Sequence, residues 1–368
     1  VSVPMMDLKK QYARLKPEID AAVAEVLASQ QFRGGPQVER LEQAIAAMTQ
    51  THQAMGVSTG TDALLLPLKA LSLNPGDEVI TTPFTFFATA GAIVNAGGIP
   101  VFADIDPVTF TINVAQIEGL ITPRTRAIVP VHLYGQCADM MPLLEMAQRH
   151  GLAVIEDSAQ ALGASYQGRP ACSMGQAGAI SFYPTKNLGA AGEGGMVAAT
   201  DAAMAEKVRL LRAHGAGTTY IHSIVGTNSH LHAIQAAVLN VKLQYLTEWN
   251  EQRRANARYY TQHFSAMPEV TVPEEALGNY HVYHQYVIRL PRRDEARKLF
   301  QERGIGCGVF YPLPLHRQDC FKPYGCEKAQ CPEADRASRE VLALPIVPEL
   351  TPEHLDEVIA AVKDHLAH

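Results

Sequence analysis

Lys186 comes just after an apolar run, Ala177 to Phe182, and the glycines Gly189, Gly192, Gly194 and Gly195 follow it closely. A lysine at the mouth of a buried site gives up its proton readily and attacks carbonyl carbons. The glycines allow tight turns where a ligand meets the backbone. They precede a strand pattern, so they do not form a dinucleotide G-x-G-x-x-G, which lies between strand and helix. In isolation, a lysine beside a glycine-rich turn is more simply structural.

Three other stretches sit where strand patterns end. Val154-Ile-Glu-Asp-Ser-Ala-Gln160 closes an apolar run with two carboxylates. One could cap a helix or pair with a lysine; a carboxylate fixed there could instead hold a protonated heterocyclic nitrogen. Val57-Ser-Thr-Gly-Thr-Asp62 turns from a short strand into the helical segment Ala63 to Leu71. Gly60 lets backbone amides point inward and Thr61 can cap the helix, which makes an anion site. In Pro83-Phe-Thr-Phe-Phe-Ala88, Phe86 could lie flat on an aromatic ligand. An amine nucleophile, a carboxylate for a ring nitrogen, an anion cradle and an aromatic face together describe pyridoxal phosphate chemistry.

Such groups need a frame. Pro17 to Ser29 and Gln37 to Gln50 read as amphipathic helices. Val79 to Thr82, Pro100 to Asp104, Ala127 to Leu133, Ala153 to Glu156, Ala179 to Phe182 and Met196 to Ala199 read as strands, with helices Ala63 to Leu71, Met140 to Arg149 and Ala202 to Ala213 between them. Apolar runs without alternation mark strands buried on both faces of a mostly parallel sheet. The fold class is therefore α/β: a large domain over residues 1–250 and a smaller α+β domain over 251–368. A long connecting helix is expected over about 232–264. In the smaller domain, His284 to Leu290 and Cys307 to Tyr311 read as strands. Asp294 to Arg303, Glu333 to Leu342 and Pro352 to Leu366 read as helices.

The 368 residues carry a net charge of −6 and no block of like charges, which argues against nucleic acid and membrane surfaces. No apolar run has transmembrane length. The first residues lack a signal-peptide layout, so a cytoplasmic protein is expected. The six cysteines form no C-x-x-C pair. Three of them lie near His316 without the spacing of a zinc knuckle, so no metal is expected.

The motifs, in order, resemble the DegT/DnrJ/EryC1/StrS sugar aminotransferases of fold-type I pyridoxal phosphate enzymes. The resemblance runs through Phe32-Arg-Gly-Gly-Pro-Gln-Val-Glu39, Ser58-Thr-Gly-Thr-Asp-Ala63, Pro75-Gly-Asp-Glu-Val79 and Thr82-Pro-Phe-Thr-Phe86. It continues through Pro130-Val-His-Leu-Tyr-Gly-Gln136, Glu156-Asp-Ser-Ala-Gln160, Ser181-Phe-Tyr-Pro-Thr-Lys-Asn-Leu-Gly189, Ile234-Gln-Ala-Ala237, Tyr311-Pro-Leu-Pro-Leu-His316 and Leu344-Pro345. The resemblance implies that Lys186 is the Schiff-base lysine and that Asp157 pairs with the pyridinium nitrogen. It places Gln160 near the ring hydroxyl, Phe86 on the ring, and Gly60, Thr61 and Ser181 on the phosphate. It brings Asn228 from a neighbouring subunit onto that phosphate, hence a homodimer with shared sites. Some relatives carry histidine at the lysine position and act as dehydratases; Lys186 argues for amino transfer.

Three positions depart from the family pattern. His230 stands where arginine or lysine is common, Leu162 where histidine is frequent, and Phe310 where histidine often precedes Tyr-Pro. With Tyr311 and His316, His230 and Phe310 are the candidate substrate contacts. Loss of the arginine weakens the case for a nucleotide-linked uronic acid. The expected reaction moves an amino group, with L-glutamate as donor, to a keto sugar linked to a nucleotide (UDP or dTDP), for amino-sugar and polysaccharide biosynthesis. The alternatives are a cyclitol or other cyclic ketone as acceptor, or a cofactor-binding regulatory protein without turnover.

Overall fold

The computed structural model describes residues 2–218 and 220–367. Its centre is a seven-stranded sheet. Across it the strands lie in the order Gln53–Val57, Gly195–Ala199, Ala177–Ser181, Ala153–Asp157, Thr125–Val129, Glu78–Thr81 and Ile99–Phe102. Gly195–Ala199 runs antiparallel to both its neighbours; the other pairings are parallel. The mostly parallel sheet read from the apolar runs is therefore present.

Side-chain alternation divides each strand between two buried faces. Met55, Val79, Ala127, Ile155, Ala177 and Val197 pack under the helices Gly60–Ala70, Ala88–Asn95 and Ala202–Leu211. On the other face, Ile180, Met196 and Ala198 meet the helices Pro36–Thr49 and Ala233–Leu243. Ile80, Ile128 and Val154 meet Met140–His150 on that same face. With both faces covered, functional groups can emerge only at strand ends, and ligands of open α/β sheets bind beyond the carboxyl ends.

The reversed strand explains the glycines. Gly195 lies opposite both Val57 and Ser181, so the chain after Ser181 turns back at the carboxyl edge instead of crossing over. A Cβ on Gly195 would sit 2.2 Å from the Thr59 carbonyl, so the backbones touch there and a side chain is excluded.

Four expectations need correction. The first helix runs Leu8–Ser29, not from Pro17. Asp7 caps it by accepting from the Lys10 amide, and buried Leu15 and Ile19 hold the turns around Pro17 in place. The helical stretch over 232–264 is two helices, Ala233–Leu243 and Leu246–Phe264. Between them the Tyr245 amide closes a tighter turn onto Lys242 O at 3.0 Å, and the Tyr245 ring stacks on Trp249. The helix expected over Glu333 to Leu342 ends at Glu340, where Val341–Leu344 becomes a strand paired with Tyr286–Arg289; cross-strand burial overrides the helical spacing. Cys307 to Tyr311 forms no strand beyond the bridge Gly308–Ala343; Gly306 and Gly308 lie so close to Met5 and Phe310 that the segment bends around them.

The C-terminal part packs helices Arg293–Glu302 and Pro352–Ala367 on this short hairpin-like sheet around Tyr260, Phe264, Tyr286 and Phe300. It does not stand apart. Phe102 of the large sheet and Phe84, Phe110 and Tyr134 of its loops share one apolar cluster with Val287, Phe321, Val341 and Ala343. Among the described residues no helix is long and apolar enough to cross a membrane.

Candidate active site

Glu156 and Asp157 are neighbours on one strand, so they face opposite sides of the sheet. Glu156 is fully buried and accepts from the amides of Cys172, Met174 and Gly175 at 2.9, 2.7 and 2.6 Å. His132 Nε2 lies 2.8 Å from it, while His132 Nδ1 accepts from the Ala138 amide. Every lone pair of that carboxylate is engaged, so its work is structural. Asp157 faces the site. Its Oδ2 accepts from Thr89 Oγ1 at 2.7 Å and its Oδ1 from the Ala159 amide at 3.2 Å. Burial pushes the Asp157 carboxyl above its ordinary range, against the opposing pull of Thr89, Ala159, Lys186 and His132.

Lys186 lies in a loop that begins at the end of strand Ala177–Ser181. Its amide donates to Tyr183 O at 2.9 Å. The side chain is partly buried, and burial lowers its pKa to about 8, with the Asp157 charge pulling the other way. About a tenth of Nζ is then unprotonated at pH 7, far more than at the ordinary lysine value. In the apo-protein, covalent capture of an aromatic aldehyde should rise through about pH 8. Following absorbance after mixing across pH 6 to 11 (roughly) checks this; a midpoint at the ordinary lysine value contradicts it. The sign of the linkage agrees: a depressed lysine pKa costs stability at low pH, and that cost is relieved as pH rises from the folded to the unfolded value.

The anion cradle is built at the start of helix Gly60–Ala70. Its cap is Thr59, not Thr61: Thr59 Oγ1 accepts from the Asp62 amide at 3.0 Å. This leaves Thr61 free and exposed in the first turn. The Gly60 and Thr61 amides, as the first two of the helix, have no intrahelical acceptor. A Cβ on Gly60 would lie 2.6 Å from Ser181 Cβ, so backbone amides and the Ser181 hydroxyl converge on one spot. The Phe86 ring is 60% exposed beside this edge, an uncovered aromatic face in a loop whose neighbours Phe84 and Thr85 are buried.

Gln160 links two further side chains. Its Oε1 accepts from the Tyr134 amide at 2.7 Å and its Nε2 donates to Tyr311 Oη at 3.1 Å. Tyr134 Oη in turn donates to the Phe310 carbonyl. Tyr134 adopts a left-handed backbone, φ 59°, held by Gln160 and by the Gln285 amide on its carbonyl. The strain of such a residue is about 1–2 kcal/mol. Tyr311 thus joins the site, and Phe310 reaches it through its backbone.

His230 does not stand alone. Arg33 Nη2 lies 2.6 Å from its Nε2. Burial and the charges of Arg33, Arg212, His214 and His232 lower the His230 pKa to about 4, so it is neutral and accepts. Among the described residues Arg33 makes no ion pair. Its guanidinium brings positive charge to the place where His230 removed it. Next to it, Ser229 Oγ accepts from the Ser58 amide at 3.1 Å and donates to Asp62 at 2.9 Å, which fixes the segment against the cradle's strand and helix. Asn228 is exposed and touches no group of this cradle among the hydrogen bonds of the chain. His316 is fully buried against Phe102, with Nε2 3.5 Å from Asp335 Oδ1. Leu162 is a core residue of the sheet's second face.

These groups fit pyridoxal phosphate on their own chemistry. A glycine whose Cβ would fill the cradle, a buried carboxylate with a lysine in electrostatic reach, and an open aromatic face provide for the phosphate, the ring nitrogen, the aldehyde and the ring. Sequence reasoning missed Thr89, Tyr134, Thr59 and Arg33. Thr89 lies one turn after Thr85 in the aromatic stretch already singled out, and Tyr134 lies within Pro130 to Gln136. Arg33 pairs with His230 across the chain, which no local pattern reveals.

The family model described as the DegT/DnrJ/EryC1/StrS aminotransferase family matches residues 13–363. A protein of Geobacillus stearothermophilus named "Pleiotropic regulatory protein" is 49% identical, with 100% of each chain covered. The UDP-N-acetyl-3-dehydro-alpha-D-glucosamine 3-aminotransferase of Acidithiobacillus ferrooxidans is 41% identical over 98% of this chain and 97% of its own. The crystal structure of DesV from S. venezuelae in complex with a ketimine intermediate superposes with a TM-score of 0.97 at 41% identity, covering 100% of this chain and 99% of that one.

Proposed function

This chain belongs to the DegT/DnrJ/EryC1/StrS aminotransferase family, and from that premise we propose that it aminates a nucleotide-linked 3-keto hexose with L-glutamate as donor. It is a pyridoxal-phosphate-dependent sugar aminotransferase. Bound in this site, the cofactor supplies an aldehyde carbon that condenses with amines and a protonated ring that takes up an electron pair. In our reading Gly60, Thr61 and Ser181 hold its phosphate, Phe86 covers its ring and Asp157 keeps its nitrogen protonated. Lys186 Nζ is the attachment point; once displaced, it takes the proton from Cα of the donor and later returns one to the sugar carbon. Gln160 orients Tyr311 Oη at the mouth. The outcome exchanges an amino acid and a keto sugar for a 2-oxo acid and an amino sugar. The single observation that carries this reading is that the buried carboxylate of Asp157 and the lowered-pKa amine of Lys186 feel each other's charge where neighbouring strands end.

Support for a nucleotide-linked sugar comes from Arg33, a guanidinium bonded to neutral His230 and without an ion pair among the described residues, which suits a phosphate or carboxylate. The 3-keto position rests on the Acidithiobacillus relative. The name of the Geobacillus relative points to regulation, but every group the chemistry needs is present here. We place the enzyme in the cytoplasm, as a homodimer whose Asn228 reaches the partner's phosphate site. Exposed Tyr220, Ile221 and Val225, each at least 69% exposed, suit burial against a second copy.

The test is a substrate panel. Glutamate should bleach the visible band of the loaded enzyme, and a UDP- or dTDP-linked 3-keto hexose should restore it. Arg33→Gln should raise KM for the linked sugar about tenfold and leave the glutamate half-reaction unchanged. If free keto sugars or cyclitol ketones react as well as linked ones, the nucleotide reading is wrong. If no amino acid bleaches the band, turnover itself is absent.

A further inference from the structure

Lys186 lies in a loop closed at its neck by the Ala190 amide donating to Phe182 O at 2.8 Å. Two buried side chains reach this loop from two successive helices. From Ala233–Leu243, Lys242 Nζ donates to the Gly189 carbonyl at 2.8 Å. From Leu246–Phe264, Asn250 Oδ1 accepts from Asn187 Nδ2 at 2.7 Å. Asn187 is the residue next to Lys186. Its side chain also donates to Val282 O at 3.2 Å and pairs with His284 Nδ1 at 3.1 Å. Asn250 Nδ2 reaches Leu162 O at 3.3 Å, which ties the same asparagine to the segment after Gln160.

Lys242 is 7% exposed, Asn250 3% and Asn187 6%. Among the described residues the Gly189 carbonyl is the one hydrogen-bond partner of Lys242 Nζ. An ammonium with three donors, buried on a single acceptor, is costly, and a well-packed apolar residue there would be more stable. Burial accordingly lowers its pKa to about 8, with Glu349 opposing. The turn it grips is itself crowded: a Cβ on Gly189 would meet the Pro184 carbonyl at 2.2 Å.

We propose that Lys242 and Asn250 are positioning residues for Lys186, pinning the chain just after it at Gly189 and Asn187 so that Nζ meets the reacting carbon in one orientation. The proposal rests on Lys186 as the catalytic amine. It explains why the fold retains a buried charge that packing does not need.

The test uses the cofactor-loaded enzyme with Lys242→Met, Lys242→Arg and Asn250→Leu. Lys242→Met should melt at or above the parental temperature, while kcat falls about 10- to 100-fold and KM for both substrates stays within about threefold. Borohydride trapping at residue 186 should slow in step. Lys242→Arg restores a donor to the Gly189 carbonyl and should recover kcat to within about fivefold of the parent. Asn250→Leu should lower kcat as Lys242→Met does. If Lys242→Met does not fold, Lys242→Leu, which likewise removes the donor, carries the same readouts. Parental kcat in both Lys242→Met and Asn250→Leu overturns the proposal. So does a loss of kcat that merely follows a fall in melting temperature and is not recovered by arginine. Loss of both half-reactions in the parent would instead overturn the transaminase reading.

Discussion

Lys186→Ala should yield a folded protein that binds the cofactor without attaching it, with kcat lowered at least about 10⁴-fold. The side chain is the amine with lowered pKa at this strand edge, and its charge is felt by Asp157. Its removal relieves burial of a cation, so the fold should not suffer. The measurement is borohydride reduction followed by peptide mapping: the parent carries a pyridoxyl group on residue 186 and the variant carries none. A label elsewhere in the parent would end the assignment. The same variant tests the shared site. Mixed with Asn228→Ala chains and allowed to reassort, it should recover up to about a quarter of parental activity, since half of random dimers are mixed and each holds one intact site. No recovery on mixing would show that Asn228 does not cross to a partner.

The second large effect belongs to Asp157→Asn. A neutral amide keeps the Thr89 contact in shape but cannot hold a cationic ring nitrogen, and kcat should fall about 10²- to 10³-fold. Cofactor attachment at Lys186 should persist, which separates this loss from that of Lys186→Ala. The cofactor-free protein supplies an independent reading. Burial raises the folded-state pKa of Asp157 above its unfolded value, so the folded state holds the extra proton in the window between them. Stability is then gained on acidification through that window and lost as pH rises through it. Asp157→Asn should flatten this slope in melting temperatures measured across acidic pH. An unchanged slope would mean that the carboxylate is not the strained group of the site.

The sheet, and the groups we propose for the site, were legible because their signals are local. Apolar runs without alternation meant buried strands, and each special residue type stood at a run's end. Asp157, Lys186, Gly60 and Ser181 converge because parallel strands present their carboxyl ends on one edge. What stayed hidden depended on contacts between distant residues. Thr59 and Thr61 flank Gly60, and only the hydrogen bond to Asp62 chooses Thr59 as the cap. His316 was singled out by type; its burial against Phe102 near Asp335 depends on residues distant in sequence. Arg33 restored a charge that the segment around His230 had lost. The break at Gln244 and Tyr245 was invisible because both flanking segments have helical spacing.

The tie between Tyr134 and Phe310 has a mechanical consequence. The Tyr311 hydroxyl is tethered by Gln160, Arg289 Nη1 grips Pro107 O at 2.7 Å, and the Asp104 carboxylate caps helix Pro332–Glu340 through Glu333 and Ala334. Fastened at so many points, the C-terminal part is braced against the large sheet's loops rather than hung from one joint, so a substitution in any of these ties is expected to be felt by the others.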